Sequence, residues 1–144
     1  MQREQLINDF LQELSAMHRM LCQAHMATDT GKMLTRAQMG IMTILVQEGP
    51  MSLKELAAKL TMSSSAATQL VDGLSAETLL IRTEDSRDRR KVRVSLTAKG
   101  KRRLEQAHKK RTALFTSVLA DLSDAELKTL VELQRKISHS PARR

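Results

Sequence analysis

Apolar residues recur at Leu6, Ile7, Phe10, Leu11, Leu14, Met17 and Leu21 in three- and four-residue steps, with charged positions between them. This spacing predicts an amphipathic helix over residues 4–27 with a broad apolar face. The stretch from Thr28 to Lys32, containing Gly31, ends it. A T-x-x-Q capping box at Thr35 and Gln38 opens a second helix carrying Met39, Met42, Leu45 and Val46, and Gly49-Pro50 stops it. Ser52 and Glu55 form a second box, ahead of a short helix with Leu53, Leu56, Ala57 and Leu60 on one side. Thr61-Met62 makes a tight break. Ser63 then caps a further helix predicted to reach Leu79, with Ala67, Leu70, Val71 and Leu74 inward and Ser64, Ser65, Thr68, Gln69 and Asp72 outward.

Beyond Leu79 the period changes. A short apolar run (Leu79, Leu80, Ile81) ends at Arg82, and a polar, arginine-rich loop follows. Val92, Val94 and Leu96 then alternate with Arg93 and Ser95, the period-two pattern of a strand with one buried face. Thr97 is a cap candidate for a long helix outlined by Leu104, Ala107, Leu114, Phe115, Val118 and Leu119. A third box, Ser123 with Glu126, starts the last helix, which carries Leu127, Leu130, Val131, Leu133 and Ile137. The tail Pro141–Arg144 is expected to fray. The predicted order is four helices, two strands and two helices, with any third strand too short to identify. The fold class is therefore mainly α with a small antiparallel β-wing.

Composition narrows the reading. With 144 residues the chain is expected to form one domain, 1–144. Aromatic residues make up 1% of it, so the core rests on aliphatic side chains and methionine, and aromatic stacking platforms for single-stranded nucleic acid are disfavoured. The net charge is +8, and residues 82–111 alone hold thirteen bases against four acids. Charge gathered on one segment is the footprint of a polyanion binder. A membrane surface is a weaker fit, because the segment contains strand pattern and charged turns rather than one amphipathic helix. A single cysteine, Cys22, excludes an intrachain disulfide framework. The lack of a membrane-length apolar run or a signal-like N-terminus points to a cytoplasmic protein without a membrane partner.

The helices predicted over 52–60 and 63–79 make a helix-turn-helix candidate, in which the second helix enters the major groove of duplex DNA. Its outward serines and Thr68 suit phosphates or bases, and Gln69 can pair with adenine. Taken alone, the same face also reads as an ordinary solvated surface. In the loop, Arg87, Arg89, Arg90 and Lys91 cluster at a tip where an arginine can enter a narrow minor groove. Asp88, two residues before Arg90, can fix the guanidinium's direction through a charge-assisted hydrogen bond. The candidate DNA-binding residues are Ser52, Ser63, Ser64, Ser65, Thr68, Gln69, Arg82, Arg87, Asp88, Arg89, Arg90 and Lys91. No paired-carboxylate site, Gly-rich phosphate loop or Ser-His-Asp arrangement supports an enzyme, and no cofactor is expected.

The run D-S-R-D-R-R-K-V-R-V-S-L-T-A-K-G at 85–100 resembles the wing signature of the MarR-type winged helix-turn-helix regulators. The resemblance extends through L-T-R-A-Q at 34–38, S-L-K-E-L-A-A-K-L at 52–60 and L-V-D at 70–72. It implies a homodimer joined by its N- and C-terminal helices (1–33 and 100–144), each protomer presenting a DNA-binding region at 34–99. It also implies that Arg90 is the wing-tip minor-groove residue, Asp88 its orienting partner and the face at 64–69 the base reader. The expected function is a transcriptional regulator, a repressor on a pseudo-palindromic operator, released by a small effector. Gln69 and Gly73 stand where such proteins often carry arginine, which shifts weight onto the wing. Thr78 stands where a glycine commonly closes the helix, so no easy left-handed residue is available there.

Sensing has several candidates. Met17, His18, Met39 and Met42 could line an effector pocket. His18, Cys22 and His25 share one helical face, with His108 as a further donor, which suits zinc, copper(I) or an oxidant. The same face equally serves packing, where free cysteine behaves as a small hydrophobe. No metal is therefore expected. A metal- or oxidant-responsive regulator, or a winged-helix module that binds an acidic protein, are the alternative readings.

Overall fold

A computed structural model describes residues 2–28 and 33–140, the side chains of 25–28 excepted. Of the helix end expected at 28–32, residues 29–32 lie outside the described residues, as does the tail at 141–144. The element order is α1 (Gln2–Thr28), α2 (Arg36–Glu48), α3 (Leu53–Lys59), α4 (Ser64–Ala76), β1 (Leu80–Glu84), β2 (Val92–Leu96), α5 (Ala98–Val118) and α6 (Asp124–Ser138). The chain divides into two compact units, Met1–Leu104 and Glu105–Arg144.

All three capping boxes form, because each pairs a short hydroxyl with a side chain three residues on that can reach back. The Thr35 N–H donates to Gln38 Oε1 at 2.8 Å, the Ser52 N–H to Glu55 Oε2 at 2.8 Å, and the Ser123 N–H to Glu126 Oε2 at 2.9 Å. Those bonds, from the Ser52 N–H foremost in one case and the Ser123 N–H in the other, hold Glu55 and Glu126 below the usual carboxylate range. Gly49 ends α2 with φ of 80°, and its N–H donates to Leu45 O.

The first unit's core joins Ile41, Met42 and Leu45 of α2, Leu56 and Ala57 of α3, Ala67, Val71 and Leu74 of α4, and Leu80 and Val94 of the hairpin. Each large side chain withdrawn there contributes roughly 1.5–3 kcal/mol of transfer free energy. β1 and β2 pair antiparallel with Leu80 opposite Leu96, Arg82 opposite Val94 and Glu84 opposite Val92. Met51 and Val94 exchange backbone hydrogen bonds of 3.2 and 2.8 Å, forming a one-residue third strand.

Three local expectations need correction. The fourth helix stops at Ala76 rather than Leu79, because the chain turns back there: the Leu79 N–H donates to Leu74 O. Thr78 itself takes the left-handed conformation, φ 59°, that its β-branched side chain disfavours. Its neighbours over-determine that turn. Thr97 Oγ1 donates to Thr78 O at 2.7 Å, and Lys99 Nζ donates to Glu77 O at 2.9 Å and to Thr78 Oγ1 at 3.0 Å. Finally, β1 runs two residues past Arg82, to Glu84, because Thr83 and Glu84 continue the pairing opposite Arg93 and Val92.

In the second unit, α5 and α6 are joined by a turn in which the Leu119 N–H donates to Phe115 O and the Leu122 N–H to Leu119 O. The Arg111 guanidinium lies 5.7 Å from the centre of the Phe115 ring. No residue of α6 is buried. On α1, the face from Leu6 to Leu14 is likewise exposed, with Phe10 56% accessible. Among the described residues no helix is long and apolar enough to cross a membrane.

Candidate nucleic-acid interface

The helix-turn-helix is α3, a turn through Thr61 and Met62, and α4. Thr61 closes the turn with φ of 52°, while the Met62 N–H donates to Ala57 O at 3.0 Å. Ser63 caps α4 by accepting from the Ala66 N–H at 3.1 Å, as Ser52 caps α3 by accepting from the Glu55 N–H at 3.2 Å. Both serines keep their hydroxyl hydrogen for another acceptor, because a capping oxygen is used as a lone pair. Ser64, Ser65 and Gln69 are exposed along α4. Thr68 is half-buried and donates to Ser64 O at 2.8 Å, which leaves its oxygen to accept. Ser65, Thr68, Gln69 and Asp72 therefore share one helical face, small and polar at its N-terminal end.

The wing is built around Asp85, which sequence reasoning treated only as one acid among many bases. It is buried, unlike the residues around it. Its Oδ1 accepts from the Arg87 N–H at 2.7 Å and the Asp88 N–H at 3.3 Å, while its Oδ2 accepts from Arg93 Nε. Those bonds, the Arg87 N–H first and the Arg93 guanidinium next, hold its carboxyl below the usual range. The Asp85 N–H donates to Lys91 O at 2.8 Å and the Lys91 N–H donates to Asp88 O at 2.9 Å, closing the loop across its base. Arg93 also donates to Pro50 O at 2.9 Å, which ties the wing to the segment before α3. An aspartate just after a strand, two residues before a free N–H, is the pattern of an Asx turn. That signal was present in E-D-S-R-D.

At the tip, Asp88 Oδ1 accepts from the Arg90 N–H at 3.1 Å and from Arg90 Nε at 3.3 Å. Arg90 is held at its Nε edge while its side chain stays 92% exposed, so both terminal nitrogens face solvent. Arg87, Arg89 and Lys91 are exposed beside it. Arg82 is placed differently. It lies at the foot of the wing, and its Nη2 contacts Asp72 Oδ1 of α4 at 2.5 Å.

Of the sensor candidates, His18 and Cys22 are neighbours one turn apart on α1. Met17, His18 and Cys22 are exposed on α1, with Cys22 Sγ 3.6 Å from His18 Nε2. The side chain of His25 lies outside the described residues. Met39 is half-buried, Met42 is a fully buried core residue, and His108 is exposed on α5 in the other unit. Among the described residues no group of three or more His, Cys, Asp or Glu side chains is arranged to hold a metal ion.

Residues 34–92, from two residues before α2 to the first residue of β2, match the MarR family. YpoP, an HTH-type transcriptional regulator of Bacillus subtilis, is 34% identical over 106 residues, covering 74% of this chain and 75% of its own. MdtR, an HTH-type transcriptional repressor of the same organism, is 25% identical over 137 residues, covering 95% and 88%. The solved structure of a MarR family protein from Bacillus stearothermophilus superposes with a TM-score of 0.78 at 26% identity, covering 97% of this chain and 98% of that one. A helix-turn-helix with an exposed polar face, a basic wing locked by a buried aspartate, and these likenesses agree: the chain belongs to the MarR family of winged-helix, DNA-binding transcriptional regulators and is not an enzyme.

Proposed function

We propose that the protein is a cytoplasmic repressor that binds a pseudo-palindromic operator as a homodimer, with half-sites about one helical turn apart. Each protomer lays α4 in the major groove, where Ser64, Ser65, Thr68 and Gln69 meet base edges and Ser52 and Ser63 meet phosphates. The wing enters the flanking minor groove with Arg90, and Arg87, Arg89 and Lys91 bind the backbone. The carrying observation is Arg90, exposed at a tip but fixed at one edge by Asp88. An arginine that only solvated the surface would not need that support. Dimerisation through residues 1–33 and 100–144 is supported by the open apolar face of α1 and by Val131, Leu133 and Ile137 of α6. Release follows binding of a small molecule near Met17, His18 and Met39, the members of the candidate pocket that keep exposed surface.

The test is fluorescence anisotropy with a duplex enriched from a random library by the wild-type protein. Arg90→Ala is expected to weaken binding at least fivefold, roughly the lower bound for one good base or groove contact. Asp88→Ala weakens it in the same direction by less, because Arg90 remains but is no longer aimed. Unchanged affinity in both variants overturns the wing assignment.

A further inference from the structure

Asp72 is the outward residue of α4 that the DNA-binding reading leaves unexplained, and Arg82, a candidate DNA contact by sequence, is its partner. Asp72 puts a carboxylate on the helical face that also carries Ser65, Thr68 and Gln69, a face that must approach a polyanion. Arg82 sits in β1 opposite the fully buried Val94 and two residues after the buried Leu80, so it shares their face of the hairpin and leans toward α4. There its Nη2 meets Asp72 Oδ1 at 2.5 Å, with the two side chains 39% and 54% exposed. The contact spans ten residues of sequence and joins the two elements that must reach two different grooves.

We propose that Arg82 is a positioning residue that makes no phosphate contact: through Asp72 it sets the angle between the recognition helix and the wing. Two physical facts support this over the simpler idea of one more phosphate-binding arginine. The guanidinium is already engaged by a carboxylate, so a phosphate must displace that partner and leave Asp72 as an unpaired negative charge beside the DNA. Among the described residues no carboxylate pairs with the remaining wing bases, Arg87, Arg89 and Lys91, which suffice for attraction. At this exposure the ion pair adds little to folding stability. What it adds is register: with it, the distance from the α4 face to Arg90 is held by a charge pair at the wing's foot as well as by the core beneath.

The inference rests on the DNA-binding reading above, and the test separates the two. Binding of the wild-type-enriched duplex, and of a random-sequence duplex of the same length, is measured over a series of salt concentrations for wild type, Asp72→Asn, Asp72→Glu, Arg82→Gln and the double variant Asp72→Asn/Arg82→Gln. Expected is a loss of roughly fivefold or more on the enriched duplex for Asp72→Asn and for Arg82→Gln. The double variant loses no more than either single change, because both remove the same interaction. The salt slope and the affinity for random duplex stay at wild-type values, and Asp72→Glu recovers most of the loss. Partial unfolding would lower both affinities together, so the ratio of enriched to random binding is the readout that a purely structural role leaves unmoved.

A phosphate-contacting Arg82 gives a different pattern. Arg82→Gln then lowers the salt slope by about 0.9, and Asp72→Asn strengthens binding by removing a negative charge from the interface. Either result overturns the proposal while leaving the DNA-binding reading intact. A wild-type protein that enriches no duplex overturns both.

Discussion

Two glycines on helices test whether the packing at the foot of the wing is read correctly, because the same substitution should have opposite signs at the two sites. Gly100 lies in the first turn of α5 and is buried. A Cβ there would sit 2.2 Å from the backbone oxygen of Leu79 and 2.8 Å from Leu96 Cδ1. Carbon and carbonyl oxygen ordinarily stay roughly 3.3 Å apart or more, so the strand entry must retreat by about 1 Å. Leu79 O is also where the Thr97 N–H lands at 3.1 Å, and Thr97 Oγ1 caps α5 by accepting from the Gly100 N–H at 2.9 Å. The overpacking costs about 1–3 kcal/mol and loosening the cap about 1 kcal/mol. Removing a glycine from a helix returns up to about 1 kcal/mol. The net expectation for Gly100→Ala is a loss of about 1–3 kcal/mol, or roughly 4–12 °C in Tm for a chain of this length. Gly73, by contrast, has open space around its missing Cβ. Gly73→Ala should gain about 0.5–1 kcal/mol, a rise of roughly 2–4 °C. The assay is thermal unfolding by circular dichroism at one protein concentration, since self-association would make Tm concentration-dependent. A Gly100→Ala variant that melts at or above the wild-type temperature refutes the close approach of α5 to Leu79.

Further outcomes follow from the same geometry. Thr78→Gly relieves a β-branched residue at φ 59°, worth about 1–2 kcal/mol, and restores unfolded-state freedom worth up to about 1 kcal/mol. A net gain of about 0.5 kcal/mol is expected in urea unfolding, and a loss larger than that would show that the Lys99 contact to Thr78 matters more than the strain. Asp85 has a folded-state pKa below its ordinary 3.8, so its contribution is present above that value and is lost as pH falls through the lower, folded value. The melting temperature of wild type should therefore drop more steeply than that of Asp85→Asn below about pH 4, and parallel profiles would remove Asp85 as the wing's anchor.

The local pattern determined a great deal here. Three capping boxes, the caps at Ser63 and Thr97, the three- and four-residue apolar steps of α1 and the shift to period-two spacing after Leu79 mark the eight elements, though not every end, because each depends on residues within four positions of one another. The Asp88–Arg90 contact was legible for the same reason: two residues of separation leave little room for any other partner. Tertiary structure decided the rest. Whether Asp85 is a solvated charge or a buried anchor depends on Arg93, eight residues away across the hairpin register, and on Pro50, which Arg93 reaches from the far side. Whether Arg82 faces DNA or Asp72 depends on which face of β1 packs against α4, which is set by the burial of Leu80 and Val94. Thr78 could take a conformation its own chemistry disfavours only because Thr97, which caps α5, and Lys99 in its first turn hold it. Short-range hydrogen bonds and periodicity are written in the chain; the partner of a charged side chain is chosen by what the fold brings within reach.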